Sequence, residues 1–407
     1  MAAGSLPSRL NRRAAPLIIA VLGLALAGLV LASGFSRILN MRGQPALALG
    51  LFGDRANAFA RHADALQAAG QLPAAESFAR QALKYSLTKV EALRVMGLAA
   101  EARGDAGETY RLMALAGQWG WRDPLTQSWI LGQALRAGDY GIATQRADAL
   151  LRRRIGQEQL FPVFRLAVAD PRWRQALAAQ FADKPSWRLT FFREGGATAP
   201  AQYDAMDTLF RALRAGPAPV SRPEAEAYLG MLVGKGEYRR AHRLWAELFA
   251  GADVADPLKL SWPEPAARDY PLPFDWKLEE PNGVSLGLDR SAAGSPATLH
   301  ISADRGSIGA LASRKTLLAP GNYVLSAASR DLRDPRLLRW TVRCDGVGGR
   351  LLFDPAAAPL LDEVAFTVPA GCAAQSITLA IRDLRGSAPV EVTLAEPLLT
   401  ASGISRD

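Results

Sequence analysis

Ala69-Gly70-Gln71-Leu72-Pro73-Ala74-Ala75, Arg103-Gly104-Asp105-Ala106-Gly107-Glu108-Thr109 and Ala137-Gly138-Asp139-Tyr140-Gly141-Ile142-Ala143 decide how this chain is read. Their leading glycines, Gly70, Gly104 and Gly138, are 34 residues apart, twice over. A further copy of the turn is Lys235-Gly236-Glu237-Tyr238-Arg239-Arg240-Ala241. Each glycine stands between two apolar helical stretches, where a helix ends and the left-handed conformation is wanted. Before Gly70, Phe59, Ala63 and Leu66 lie on one helix face; after it, Ala75, Phe78, Ala82 and Leu83 do. The period predicts helix pairs over 57–69 and 73–85, 91–103 and 106–118, and 125–137 and 140–153. Stacked pairs of this kind form a solenoid, which builds surfaces for binding.

Working toward the N-terminus, residues 14–36 carry no charge, and the apolar heart runs from Ala14 to Ala32. At about 1.5 Å per residue, roughly 20 residues cross a bilayer core of about 30 Å. Arg9, Arg12 and Arg13 precede the run and belong on the cytoplasmic side. The expectation is a single-pass anchor in a bacterial inner membrane, with the bulk of the chain periplasmic. The competing reading is a cleaved signal peptide ending near Val30-Leu31-Ala32. Either reading exports the body.

The net charge of +9 divides unevenly. Residues 1–42 hold five basic and no acidic side chains; residues 43–270 hold 29 and 24, and residues 271–407 hold 14 and 15. No stripe of the kind that grips nucleic acid remains, the densest run being Arg152-Arg153-Arg154. That run and the aromatic group Trp119, Trp121 and Trp129 are the candidate docking surface for a protein partner. The plainer readings are a solvated helix end for the arginines and filling of the repeat interface for the tryptophans.

Working toward the C-terminus, Pro257, Pro263, Pro265, Pro271 and Pro273 exclude a helix interior and mark residues 256–273 as a linker. Beyond it the period changes to two. Leu299/Ile301/Ala303, Tyr323/Leu325/Ala327, Leu338/Trp340/Val342/Cys344, Val364/Phe366/Val368, Ile377/Leu379/Ile381 and Val390/Val392/Leu394 each alternate with other residues. With Trp276 and the run 284–288, about eight half-buried strands are expected over 274–402, the pattern of an antiparallel sandwich. The fold class is therefore α+β and multidomain: 1–42 tail and anchor, 43–255 helical repeats, 256–273 linker, 274–402 β-sandwich. By parity Trp340 points inward, whereas His300, Arg339, Thr341 and Arg343 point outward as a candidate ligand face. The two cysteines, Cys344 and Cys372, both lie in the exported sandwich and are expected as a disulfide, two buried free thiols being the alternative.

The turns and small residues resemble the tetratricopeptide-repeat superfamily. On that pattern Gly97 takes the small position of a first helix, and Ala75, Ala143 and Ala241 that of a second, with Ala82 and Ala116 seven residues further on. Thr109 departs from the pattern, and 155–220 lose the period while keeping helical stretches at 157–168, 171–182 and 203–212. The sandwich resembles jelly-roll modules of the galactose-binding and carbohydrate-binding type, on Leu318-Ala-Pro-Gly321-Asn-Tyr323, Trp340–Cys344 and Val368-Pro-Ala-Gly371-Cys372. Anchor, repeats and jelly roll together resemble proteins of exopolysaccharide or surface-glycan assembly. The resemblance implies a non-enzymatic scaffold that binds protein through its repeats and polysaccharide through its sandwich. A carbohydrate-active enzyme or sugar-binding protein is the alternative.

No catalytic, cofactor or metal motif is present: His62, His242 and His300 stand on separate elements, and neither a nucleophile elbow nor a phosphate loop nor His-Glu-x-x-His occurs. No cofactor and no metal are expected, and no enzymatic activity.

Overall fold

The apolar run near the N-terminus forms one long helix, α1 (Ala14–Met41), in a computed structural model of the chain. That structure describes residues 14–42, 44–48, 54–194, 199–250, 256–290, 296–332, 334, 336–346, 349–353, 363–382 and 389–402. The stretch Ala20–Leu39 is long and apolar enough to cross a membrane, with a mean hydropathy of 1.8. Its Leu22, Leu24, Leu26, Leu29 and Leu31 are exposed. The helix thus runs beyond the stretch 14–36 expected as the anchor, through Arg37 to Met41. Arg9, Arg12 and Arg13, on which the predicted orientation rests, lie outside the described residues.

The chain divides into two compact units, residues 1–156 and 157–407. In the first, a short α2 (Pro45–Ala48) precedes three helix pairs: α3 (Arg55–Ala68) with α4 (Leu72–Tyr85), α5 (Val90–Ala102) with α6 (Ala106–Trp119), and α7 (Pro124–Ala137) with α8 (Tyr140–Leu151). Gly70, Gly104 and Gly138 are left-handed, with φ of 75°, 78° and 69°. Asp54, Asp105, Asp123 and Asp139 accept backbone N–H groups at helix N-termini, which satisfies donors the helix itself leaves open. Ala75, Ala82, Ala116 and Ala143 are fully buried. A Cβ on Gly97 would lie 2.8 Å from the Met113 sulfur, so α5 and α6 approach as closely as the small position requires. Thr109, the departure from pattern, is accommodated by donating its hydroxyl to the Asp105 carbonyl at 2.7 Å. Buried Arg94 donates to Asp64 and to Asp123, both at 2.8 Å, and thereby ties three successive pairs together.

The second unit begins with α9 (Gln157–Ala167), α10 (Pro171–Ala182), α11 (Arg188–Glu194), α12 (Tyr203–Ala215), α13 (Arg222–Gly234) and α14 (Tyr238–Leu248). Where the 34-residue period lapses, aromatic packing takes over. Phe161, Trp187, Phe181, Phe191, Phe192, Phe210 and Tyr228 touch in succession, with ring centroids 5.0–6.2 Å apart. Buried Arg188 crosses this region, pairing with Glu224 at 2.9 Å and donating to the carbonyls of Phe181 and Ala218.

Twelve strands follow among the described residues: β1 (Lys277–Leu278), β2 (Val284–Asp289), β3 (Thr298–Ala303), β4 (Gly309–Thr316), β5 (Gly321–Ser326), β6 (Ser329–Arg330), β7 (Leu338–Asp345), β8 (Leu351–Phe353), β9 (Val364–Val368), β10 (Ala374–Ile381), β11 (Val390–Leu394) and β12 (Leu398–Ser402). They pair antiparallel into sheets of order β1-β4-β10-β7-β8, β2-β3-β11-β6 and β12-β5-β9 around one core. Trp340, Ile301, Leu325, Ile377 and Leu394 are buried in it, as their parity predicts. Cys344 and Cys372 form a disulfide with their Cα atoms 5.6 Å apart.

The stretch 256–273, expected as a linker, is packed. Leu260 and Trp262 belong to the β core, the Trp276 indole donates to the Leu260 carbonyl at 3.1 Å, and Lys259 bridges to Leu398. The prolines do not keep the chain in solvent there, and Pro265 opens a short helix, Pro265–Asp269. Within this unit, Asp275 holds helices to sheet: Arg222 of α13 pairs with it, and it accepts the Trp245 indole of α14 at 3.1 Å.

Candidate functional site

The end of α6 and the loop after it carry two exposed tryptophans, alongside exposed Tyr85 and Tyr110 elsewhere in the repeats. Leu115 and Trp119, one helical turn apart, share a face. Gly120 then closes the helix, and the loop to α7 presents Trp121. Trp119 is 61% exposed and Trp121 47%, so neither fills the repeat interface. The Arg146 guanidinium of α8 stacks over the Trp121 ring at 4.2 Å from its centroid. Burial alone pushes the Arg146 pKa down from its ordinary value.

The three-arginine run follows α8. Arg152 pairs with Asp148 at 2.7 Å, and Arg153 donates to the Arg122 carbonyl in the loop that carries Trp121. Arg154 is exposed in the left-handed region, φ 59°. The run is thus partly engaged, and through Arg153 it meets the tryptophan loop. The expected docking residues Trp121 and Arg153 come together; Arg146 is the member that sequence reading did not single out. Trp129 lies apart, donating to Glu101 at 3.0 Å.

On the sandwich, the expected ligand face is divided. Arg339, Thr341 and Arg343 point outward from β7 in the five-stranded sheet. His300 points outward from β3 in the four-stranded sheet, where it pairs with Glu391 at 2.8 Å. The two positions share a core but not a face. His62 rests edge-on against Phe78 with centroids 4.5 Å apart, and His242 lies between Trp245 and Phe274. Burial, and then the charge of Arg314, hold the His242 pKa below its ordinary value. The histidines therefore stay separate. Among the described residues no three His, Cys, Asp or Glu side chains gather as a metal site.

A cleft of about 510 Å³ opens where α11 and α13 meet the five-stranded sheet. Its polar lining includes Arg193, Glu226, Lys277, Arg314, Lys315 and Ser376. Arg314 is 5% exposed; burial pushes its pKa down to about 10, against the pull of Asp275, so it stays cationic at neutral pH. Lys315 pairs with Asp345 and bonds the Ser376 hydroxyl at 3.0 Å. Sequence reading missed this cleft because most of its floor is β4, a strand whose apolar alternation is weak.

No protein-family model and no curated protein matches the chain. Among solved structures, that of PilF from Pseudomonas aeruginosa is similar at 15% identity and a TM-score of 0.22, over 50% of this chain and 80% of that one. At that TM-score the likeness carries no functional argument.

Proposed function

We propose that the chain is a non-enzymatic scaffold or adaptor, anchored by α1 in a bacterial inner membrane with its body in the periplasm, and that it serves assembly or export of a surface polysaccharide. The helical repeats are its docking surface for protein. The observation that carries this reading is the exposure of Trp119 and Trp121 beside Arg146 and Arg153 on an otherwise well-packed stack of helix pairs. Exposed tryptophan and arginine are the residue types that dominate protein interfaces. The scattering of the histidines supports the non-enzymatic part, and the apolar exposed helix supports the anchor.

The test is quantitative co-purification from detergent-solubilised envelopes, comparing wild type with Trp119→Ala/Trp121→Ala and with charge reversal at Arg153. The reading requires a partner recovered with wild type and depleted with both variants, the difference made by charge reversal at Arg153 being largest at low salt and shrinking as salt screens it. Partners recovered equally with all three would refute it. For orientation, a reporter fused after Asp407 is expected to be active only outside the cytoplasm.

A further inference from the structure

The register of the five-stranded sheet lines up cations and hydroxyls on its outer face. One cross-strand row runs Lys277, Ser313, Thr378, Thr341. Two residues along lies a second row, Lys315, Ser376, Arg343. Every member is partly or fully exposed, as alternation with the buried Trp340, Val342, Ile377 and Leu379 demands. At about 4.8 Å per strand, the first row extends about 14 Å from β1 to β7. One end of both rows enters the cleft of about 510 Å³, within the usual range of ligand sites, about 300–1,000 Å³. There Arg193, with no ion pair or hydrogen bond among the described residues, and buried Arg314 add two more cations.

We propose that this face and its cleft bind an acidic saccharide chain, with carboxylates on the cations and sugar hydroxyls on the serines and threonines. Interleaving decides the class. A ligand that is anionic everywhere would leave four neutral hydroxyl positions unused and would meet Glu226 and Asp345 at the rim. A neutral glycan would leave Arg193 and Arg343 without a counter-charge among the described residues, whereas Lys277 already pairs with Glu279 at 2.7 Å. Single-stranded nucleic acid needs aromatic platforms for its bases, and neither row offers one. Cys344, next to Arg343 on β7, is covalently held to Cys372 just before β10, which fixes the spacing of the strands that carry Arg343 and Ser376. The inference adds a ligand class to the glycan part of the proposed function and is independent of the tryptophan surface.

The test is calorimetric titration of the full-length chain in detergent with an oligouronate, a neutral oligoglucan of the same length and a single-stranded oligonucleotide. Arg193→Ala/Lys277→Ala is the principal variant, since both side chains are exposed and their loss leaves the core intact; Arg343→Ala tests the far end of the row. The oligouronate is expected to bind, with affinity falling about tenfold or more in the double variant, as expected when charge-assisted contacts are lost. The neutral glucan is expected not to bind, and Trp119→Ala/Trp121→Ala to bind the oligouronate like wild type. Failure of the oligouronate to bind, unchanged affinity in the double variant, or equal binding of the oligonucleotide lost in the same variants would overturn the inference. Loss of protein docking with oligouronate binding intact would count against the scaffold reading alone.

Discussion

At the scale of single residues, the repeats depend on places where no side chain fits. A Cβ on Gly120 would lie 2.4 Å from Val90 Cγ1 and 2.6 Å from the Ala116 carbonyl oxygen, and the latter is backbone and cannot swing aside. Gly120→Ala is therefore expected to destabilise the first unit by about 1–3 kcal/mol, the usual cost of overpacking, read as a lower denaturation midpoint. His242 gives a second prediction. Its pKa is held below its ordinary 6.5 in the folded chain, so below about pH 6.5 the unfolded chain takes up the proton and the folded chain does not. Stability of the second unit should fall as pH drops through that window. His242→Phe, which keeps the ring packing against Trp245 and Phe274, should flatten the difference; identical pH profiles for the two proteins would contradict this.

At the scale of elements, legibility followed periodicity. The glycine turns and the 34-residue spacing located all three helix pairs of the first unit, because a left-handed C-terminus and an apolar stripe are local signals. Strands with clean alternation, such as β7, were equally plain. β4 was not: Gly309-Ala-Leu-Ala-Ser-Arg-Lys-Thr316 has few β-formers, a register shift opposite Leu379/Ala380, and an arginine facing inward. The cleft went unseen with it, since its cations come from β1, β4 and α11 and only pairing brings them together. The prolines of 256–273 misled in the opposite direction. Leu258, Leu260 and Trp262 keep a period of two, and that signal outweighed the prolines in the fold. Because helices and sandwich are joined through Asp275, the disulfide stabilises more than the sheets. Cys372→Ser opens a loop with a sequence separation of 28, and closing such a loop contributes roughly 3–4 kcal/mol by chain entropy. Loss of α9–α14 together with the sandwich, while the repeats before Gly156 still melt as in wild type, is the expected outcome in a calorimetric scan.

At the scale of the whole molecule, the proposed scaffold would draw on an apolar helix, a stack of helix pairs with an aromatic and basic surface, and a sandwich with an ordered grid of cations and hydroxyls. The central claim is that the Trp119 surface is where a protein partner sits. The most direct measurement is site-specific photocrosslinking of the full-length chain in its own membranes. The crosslinker is placed at position 119 and, as control, at Leu87, an exposed residue between α4 and α5 of the same unit. The account predicts a discrete protein adduct from position 119 that is absent from position 87 and disappears with Arg153→Glu. No adduct from position 119, or the same adducts from both positions, would contradict it.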